Sequence, residues 1–306
     1  MIEAEQLGKT FDDFTAVHNL SLDVPAGELV ALLGPNGAGK TTTVRMLGAI
    51  LRPTTGRARI NGYDVMREAE QVRHLVGMLT EQPGLYLRMS SLEYLAFFGR
   101  LYGLSDSAIR QRSLTLLERF GMAGVAERRL GQYSKGMRQK VGLIRAMLHD
   151  PAVLLLDEPT SAMDPHSARL VRDAILELRD GKRAIILCTH NLAEAELLAD
   201  RIAIIKQGTI VAQGTPAALK QQLLGRPQLE VRVDQPLNGQ VKELGDLVTV
   251  AWAHDDVIRF CADEPDVTNP QLVRRLNALG LGVISLYEIP QSLEEVYLRV
   301  VSTEGD

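Results

Sequence analysis

Cysteine is scarce. Only Cys188 and Cys261 occur in 306 residues, far apart and without metal-ligand spacing. A disulfide framework and a zinc module are thereby excluded, and each thiol sits in an apolar, strand-like run, so buried free thiols in a reducing compartment are expected. An excess of positive charge is also missing. The net charge is −4, so no global basic field draws the chain to nucleic acid or to an anionic lipid surface. No run of about 18 uncharged apolar residues occurs, which excludes a membrane-spanning helix of ordinary composition. The opening Met1-Ile2-Glu3-Ala4-Glu5 is acidic and does not read as a signal peptide. Internal repeats and low-complexity tracts are lacking as well, so solenoid and fibrous architectures are set aside.

What the chain does have is enough apolar material, 45%, for one large core or two smaller ones, with 24% charged residues to cover them. One stretch organises the rest: Glu28-Leu29-Val30-Ala31-Leu32-Leu33-Gly34-Pro35-Asn36-Gly37-Ala38-Gly39-Lys40-Thr41-Thr42. An apolar run reads as a buried strand, a glycine-rich loop follows, and a helix begins at Lys40 or Thr41 with Val44, Met46, Leu47 and Ile50 on one side. Gly34-x4-Gly39-Lys40-Thr41 fits the phosphate-loop pattern. Glycines let backbone N–H groups turn toward a phosphate without a Cβ in the way. The helix N-terminus adds partial positive charge. Lys40 is placed to reach β- and γ-phosphates, and the Thr41 hydroxyl to hold Mg²⁺.

Upstream, Ile2 to Leu7 and Asn19 to Val24 alternate as short strands. Phe11 between them either stacks on a nucleobase or simply packs. Downstream, Arg57 to Asn61 and Val76 to Thr80 read as strands, and Glu81-Gln82-Pro83-Gly84 breaks the chain. From there to His149 the pattern is helical, an insertion into an α/β core, with caps at Ser90-Ser91, Asp106 and Ser134. The Ser134 helix start is an anion site or merely a capped core helix. Ala152 to Leu156 is a continuous apolar run, as in parallel strands buried on both faces, and it ends in Asp157-Glu158. Ligands of such sheets lie beyond the strands' carboxyl ends. There Asp157 suits Mg²⁺, directly or through water, and Glu158 suits the polarising of an attacking water. Ala184 to Thr189 repeats the pattern and ends at His190, so a functional rather than structural histidine is expected. After helices at His166 to Arg179 and Leu192 to Ala199, Arg201 to Lys206 and Thr209 to Gln213 form a hairpin, and Thr215-Pro216 opens a last helix. Gly225-Arg226-Pro227 looks like a boundary. Beyond it, strands at Gln228 to Val233, Leu247 to Ala253, Val257 to Cys261 and Val283 to Ile289 and helices at Asn269 to Ala278 and Ser292 to Val301 suggest a small α+β accessory domain with Trp252 and Cys261 in its core. The expected architecture is a P-loop NTPase core with an N-terminal antiparallel β-subdomain, residues 1–224, a helical subdomain at about 84–150, and a C-terminal α+β domain at 228–306.

The ordered set of phosphate loop, Gln82, helical region, Tyr133-Ser134-Lys135-Gly136-Met137, Asp157-Glu158, Ser161-Ala162-Met163-Asp164 and His190 resembles the ATP-binding cassette (ABC) ATPases over roughly residues 1 to 224. The resemblance implies that Phe11 stacks on adenine and that Gly34, Pro35, Asn36, Gly37, Ala38, Gly39, Lys40, Thr41 and Thr42 hold the phosphates. It makes Gln82 the Q-loop residue, a catalytic and metal-binding position together with Thr41 and Asp157 at the metal. Ser134 to Met137 become the signature motif, whose Ser134 and Gly136 approach the γ-phosphate. Asp164 becomes the D-loop residue, and Glu158, His190 and Lys40 the catalytic groups. Lys135 and Met137 depart from the commonest Leu-Ser-Gly-Gly-Gln signature, and Met163 stands where leucine is usual. The tail, through Gln291-Ser292-Leu293-Glu294-Glu295-Val296-Tyr297-Leu298, looks like the extension of ATPases serving ABC-2 type exporters of drugs, ions and polysaccharides.

Such a resemblance implies ATP and Mg²⁺ as ligands and a second copy of the chain as partner. In the family two cassettes close head to tail, so that Ser134 of one caps the nucleotide of the other. It also implies an integral membrane permease that docks beside Gln82, through Leu85-Tyr86-Leu87-Arg88, and a place at the cytoplasmic face of the membrane. No nucleic-acid partner is expected. The other class to weigh is a soluble cassette protein acting on the ribosome or in DNA maintenance. The chain has one cassette, no coiled-coil insertion and no basic patch, which favours transport.

Overall fold

A computed structural model describes the chain except for residues 162, 180, 227, 238, 263 and 303–306, so Ala162 of the expected D-loop and Pro227 of the expected boundary lie outside the described residues. The chain forms two compact units, Met1–Pro216 and Ala217–Asp306.

The first unit opens with a long hairpin, β1 (Ile2–Phe11) and β2 (Phe14–Val24). Both strands run further than the alternation in sequence indicates. Register shifts between Ala4 and Lys9, with positive φ at Gln6 and Asn19, put extra residues into the ladder and break the period of two. There follow β3 (Leu29–Leu33), α1 (Lys40–Leu47), β4 (Thr55–Ile60), β5 (Tyr63–Asp64), α2 (Ala69–Leu75) and β6 (Val76–Leu79). The helical insertion contains α3 (Ser91–Leu101), α4 (Asp106–Arg119) and α5 (Lys135–Met147). Ser90 caps α3 in a full capping box with Glu93, and α4 is capped by Ser105 rather than Asp106. The chain returns to the core through β7 (Val153–Asp157), α6 (Pro165–Glu177), β8 (Ala184–Thr189), α7 (Leu192–Leu198), β9 (Arg201–Lys206) and β10 (Thr209–Gly214).

Two sheets result. One has the order β2-β1-β4-β5 and is antiparallel; the other has the order β10-β9-β3-β8-β7-β6 and is parallel except for its β10 edge. The central strands are apolar throughout because both faces are covered. Successive side chains point to opposite faces. Thus Val30, Leu32, Leu155 and Ile186 pack with Val44, Met46 and Leu47 of α1. Leu29, Leu154, Leu156, Ile185 and Leu187 pack instead with Val141 and Ile144 of α5 and Val171 and Ile175 of α6. A polar residue in such a strand has a low-cost place only at its end, which is where Asp157 and His190 stand.

The second unit holds α8 (Pro216–Leu224), β11 (Leu229–Val233), β12 (Thr249–His254), β13 (Val257–Cys261), α9 (Pro265–Ala278), β14 (Val283–Glu288) and α10 (Leu293–Ser302). Its antiparallel sheet has the order β12-β13-β11-β14. Leu229, Val231, Ile258 and Phe260 pack against Leu272 and Leu276 of α9. The division between the units falls ahead of the expected boundary. Helix α8 groups with the tail, to which its end is tied: Gln291 Nε2 donates to Gly225 O at 3.2 Å and the Arg299 guanidinium to Leu223 O. Helix α9 also starts earlier than Asn269, with Pro265 in its first turn and Pro270 inside it. Trp252 is not a core residue. It lies 48% exposed on the edge strand β12, where the Arg259 guanidinium sits 5.2 Å from its ring centre. Cys261 is partly exposed, while Cys188 is fully buried.

Candidate nucleotide site

Strands β3, β8 and β7 lie side by side and parallel, so their carboxyl ends deliver the phosphate loop, His190 and Asp157-Glu158 to one place. Two of the loop glycines are obligatory. A Cβ at Gly34 would stand 2.3 Å from the Ile205 carbonyl oxygen, and one at Gly39, whose φ is 103°, would stand 2.6 Å from that of Ala16. Lys40 is buried and curls over its own loop, donating to Gly34 O at 2.6 Å and Pro35 O at 3.0 Å. A bound phosphate competes for these same ammonium protons.

Thr41 Oγ1 donates to Asp157 Oδ2 at 2.7 Å. Asp157 is 1% exposed, and burial is the largest cause that raises its pKa; the charges of Glu158 and Glu81 act the same way, while the Thr41 bond and Lys40 oppose them. A carboxylate in this position gains from a cation, and a hydroxyl beside a carboxylate is the donor set that a hard divalent ion prefers. The residues therefore fit Mg²⁺. Among the described residues no cluster of His, Cys, Asp and Glu could hold a metal without further ligands, so phosphate oxygens and water must complete such a site.

Glu158 carries a left-handed backbone, φ 52°, a conformation that costs a non-glycine residue about 1–3 kcal/mol. Its surroundings hold it there. Its N–H donates to Cys188 O at 2.9 Å, and its carbonyl accepts from Gln139 Nε2 at 3.2 Å. The twist turns its carboxylate to His190, whose Nδ1 lies 2.7 Å from Oε1. The imidazole is 60% exposed and the carboxylate 12%, so one group borders solvent and the other is sheltered.

These groups line an open cavity of about 690 Å³. The phosphate loop from Asn36 to Thr42 forms its floor, Asp157, Glu158, Ser161 and His190 one wall, and Phe11 with Phe14 the rim. The two phenylalanines pair across the tip of the β1–β2 hairpin and are 43% and 64% exposed, an aromatic surface free to stack on a base. Of the residues read from sequence, Gly34 and Pro35 do not line the cavity and their carbonyls receive Lys40, while the rest of the loop borders it. Gln82 does not border it. Its side chain is exposed and its carbonyl accepts from Thr80 Oγ1, while the neighbouring Glu81 lines the cavity instead. Ser134 and Gly136 are also absent from this lining. Ser134 is exposed and caps α5, its Oγ accepting from the Met137 N–H at 3.2 Å. Sequence reading missed Phe14, Glu81, and the buried Gln139 that supports Glu158; only Phe14 carried a signal, as a second aromatic beside Phe11.

A parallel sheet with a phosphate loop, a sheltered acid and a hydroxyl–carboxylate pair at adjoining strand ends defines a P-loop nucleotide-binding fold with the means to hydrolyse ATP. Residues 17–161 match the "ABC transporter" family model. The chain is 37% identical to an uncharacterised ABC transporter ATP-binding protein of Bacillus subtilis, over 98% of this chain and 99% of the relative. It is 40% identical to the daunorubicin/doxorubicin resistance ATP-binding protein of Streptomyces peucetius, over 100% and 93%, and 33% identical to the Nod factor export ATP-binding protein I of a Rhizobium species, over 99% and 97%. Among solved structures, the ATP-binding subunit of an ABC transporter superposes with a TM-score of 0.69 at 30% identity, over 80% of this chain and 99% of that one. A bacterial ABC transporter cassette solved as a dimer gives 0.66 at 26%, over 70% and 98%. With sequence likeness running end to end and the fold agreeing, the chain belongs to the ATP-binding proteins of the ABC transporters. It is an ATPase of that family.

Proposed function

We propose that the chain is the ATP-hydrolysing subunit of an ABC-2 type exporter, which works as a pair and drives a separate membrane permease. The observation that carries the reading is the convergence of Lys40, Thr41–Asp157 and Glu158–His190 at three adjacent strand ends. The Streptomyces relative is named for drug resistance and the Rhizobium relative for export, which supports the export branch.

Phe11 and Phe14 receive the adenine, and loop N–H groups and Lys40 receive the phosphates. Thr41 and Asp157 would hold Mg²⁺, which would supply neutralisation of charge on the phosphate oxygens. Glu158 takes a proton from the attacking water, and His190 fixes the carboxylate that does so. Gln82, whose motif is the family's Q-loop, would be the third residue at that metal, beside Thr41 and Asp157. One side of this cavity is open to solvent. Ser134 and Gly136, at the start of α5 and outside their own cavity, are the anion site offered to the γ-phosphate of a second copy. ATP then joins two copies and hydrolysis releases them.

No helix among the described residues is long and apolar enough to cross a membrane. Tyr86 and Leu87, 50% and 48% exposed next to Gln82, with Phe97 and Leu101 of α3 exposed beside them, form the apolar surface for a cytoplasmic segment of that permease. Its seat is the cytoplasmic face of the membrane. The test is affinity purification from detergent-solubilised membranes. A polytopic membrane protein should co-purify and stimulate ATP hydrolysis, and Lys40→Ala should abolish the hydrolysis while keeping the partner. Recovery with ribosomal particles, and none with a membrane protein, would overturn the reading.

A further inference from the structure

We propose that Glu194 is a positioning residue for hydrolysis: one buried carboxylate that clamps the loop after β7 to the end of β8, and so fixes Glu158 against His190. The inference rests on the reading of Glu158 and His190 given above.

Glu194 stands in the first turn of α7 and is 2% exposed. Its Oε1 accepts from Thr160 Oγ1 at 2.7 Å and its Oε2 from Thr189 Oγ1 at 2.8 Å. Thr160 lies two residues after Glu158, and Thr189 immediately precedes His190. The carboxylate therefore bridges the two segments that carry the acid and the histidine. It does not line the cavity and touches no reacting group there.

The residue's position in the helix has a simpler use, which the geometry sets aside. A glutamate three residues after an N-cap usually turns back to bond the N-cap N–H. Here that N–H, of Asn191, donates to Thr189 Oγ1 at 3.0 Å, while the Asn191 side chain accepts the Glu194 N–H at 3.1 Å. The helix end is satisfied without the carboxylate, which is turned across to Thr160 instead. The Thr189 hydroxyl thus accepts from one side and donates to the other, locking the backbone just ahead of His190. Glu158 needs that help because its backbone is held at φ 52°. The histidine is mostly in solvent and has little packing of its own. Misplacing a catalytic group by about 1 Å costs on the order of a hundredfold in rate.

Steady-state ATPase assays on four variants test the clamp: Glu194→Gln, Thr160→Val, Glu158→Gln, and the double variant Glu158→Gln/Glu194→Gln. Glu194→Gln should lower kcat between about tenfold and about a hundredfold, with KM and ATP affinity unchanged within about twofold. Thr160→Val, which removes one hydroxyl and leaves Glu194 its bonds to Thr189 and Asn191, should fall in the same direction and decides the matter if Glu194→Gln does not fold. The double variant should be no slower than Glu158→Gln alone, because Glu194 acts through Glu158. A wild-type kcat for Glu194→Gln, or for Thr160→Val if that is the folded variant, would overturn the clamp, as would penalties that multiply in the double variant. A loss confined to ATP affinity would overturn it too. If Glu158→Gln itself turns over like wild type, the underlying reading of the acid fails, and the clamp with it; an inactive Glu158→Gln beside a fully active Glu194→Gln sinks the clamp alone.

Discussion

The chemistry is concentrated in a few side chains whose positions follow from where strands end. Asp157, Glu158 and His190 were legible because a continuous apolar run can accept a polar group only at its terminus, and each run here stops at one. Gln82 was legible as a motif but not as a position: it lies in a loop, Glu81 faces the cavity in its place, and nothing in the local pattern distinguishes the two. Glu194 was hidden for another reason, since a glutamate in a helix's first turn looks like a cap. From the geometry of the acid, Glu158→Gln should keep ATP binding and lose about 10²- to 10⁴-fold in turnover, measured by phosphate release, because the amide cannot take a proton. A second residue-scale prediction concerns His149, whose ring stacks on Tyr102 at 3.7 Å. Burial foremost, with the charges of Arg112 and His74, pushes its pKa down from 6.5 to about 4, against the opposing Val76 backbone and Asp150. Between these two values the unfolded chain holds a proton that the folded chain does not, so this part of the stability falls as pH drops from about 6.5 to about 4. His149→Phe keeps the stack and removes the titration. In urea unfolding, its stability relative to wild type should rise as the pH is lowered through that window, and a pH-independent difference would contradict the assignment.

Among elements, the parallel strands and the insertion's helices were readable from periodicity and caps. The departures have local causes. Bulges at Gln6 and Asn19 interrupted the hairpin's alternation, α2 buries only Val72 and so carries no stripe, and Trp252 sits on an edge strand where an aromatic need not be buried. Helix α5 is the element that joins the regions of interest, since Ser134 begins it and Arg145 lies in its last turn. The Arg145 guanidinium donates to Tyr94 OH at 2.7 Å and to Pro83 O at 3.0 Å, and lies 5.2 Å from the ring centre of Phe98. It thereby ties α5 to α3 and to the loop carrying Gln82. Lysine has the charge but not the planar fork, so Arg145→Lys should cost about 1–3 kcal/mol of stability, read from the shift in urea midpoint at constant m. An unshifted midpoint would show that the tie is incidental.

For the whole molecule, we propose that a complete site requires two copies, one giving the phosphate loop and the other giving Ser134. Within one chain the two are apart: the loop lines the cavity and Ser134 does not. The sequence indicated this only through resemblance, because no periodicity or spacing reports a contact between chains. The direct measurement is mass in solution, by light scattering, of the slowly hydrolysing Glu158→Gln protein with Mg²⁺ and ATP, with ADP, and with ATP after adding Ser134→Arg. The arginine puts bulk and charge where a small hydroxyl should meet the partner's phosphate, and leaves the chain's own loop untouched. The expected result is a dimer with ATP, a monomer with ADP, and a monomer with ATP once Ser134→Arg is present, even though that protein still binds ATP. A mass that ignores ATP, or a Ser134→Arg protein that dimerises with ATP as readily as its parent, would contradict it.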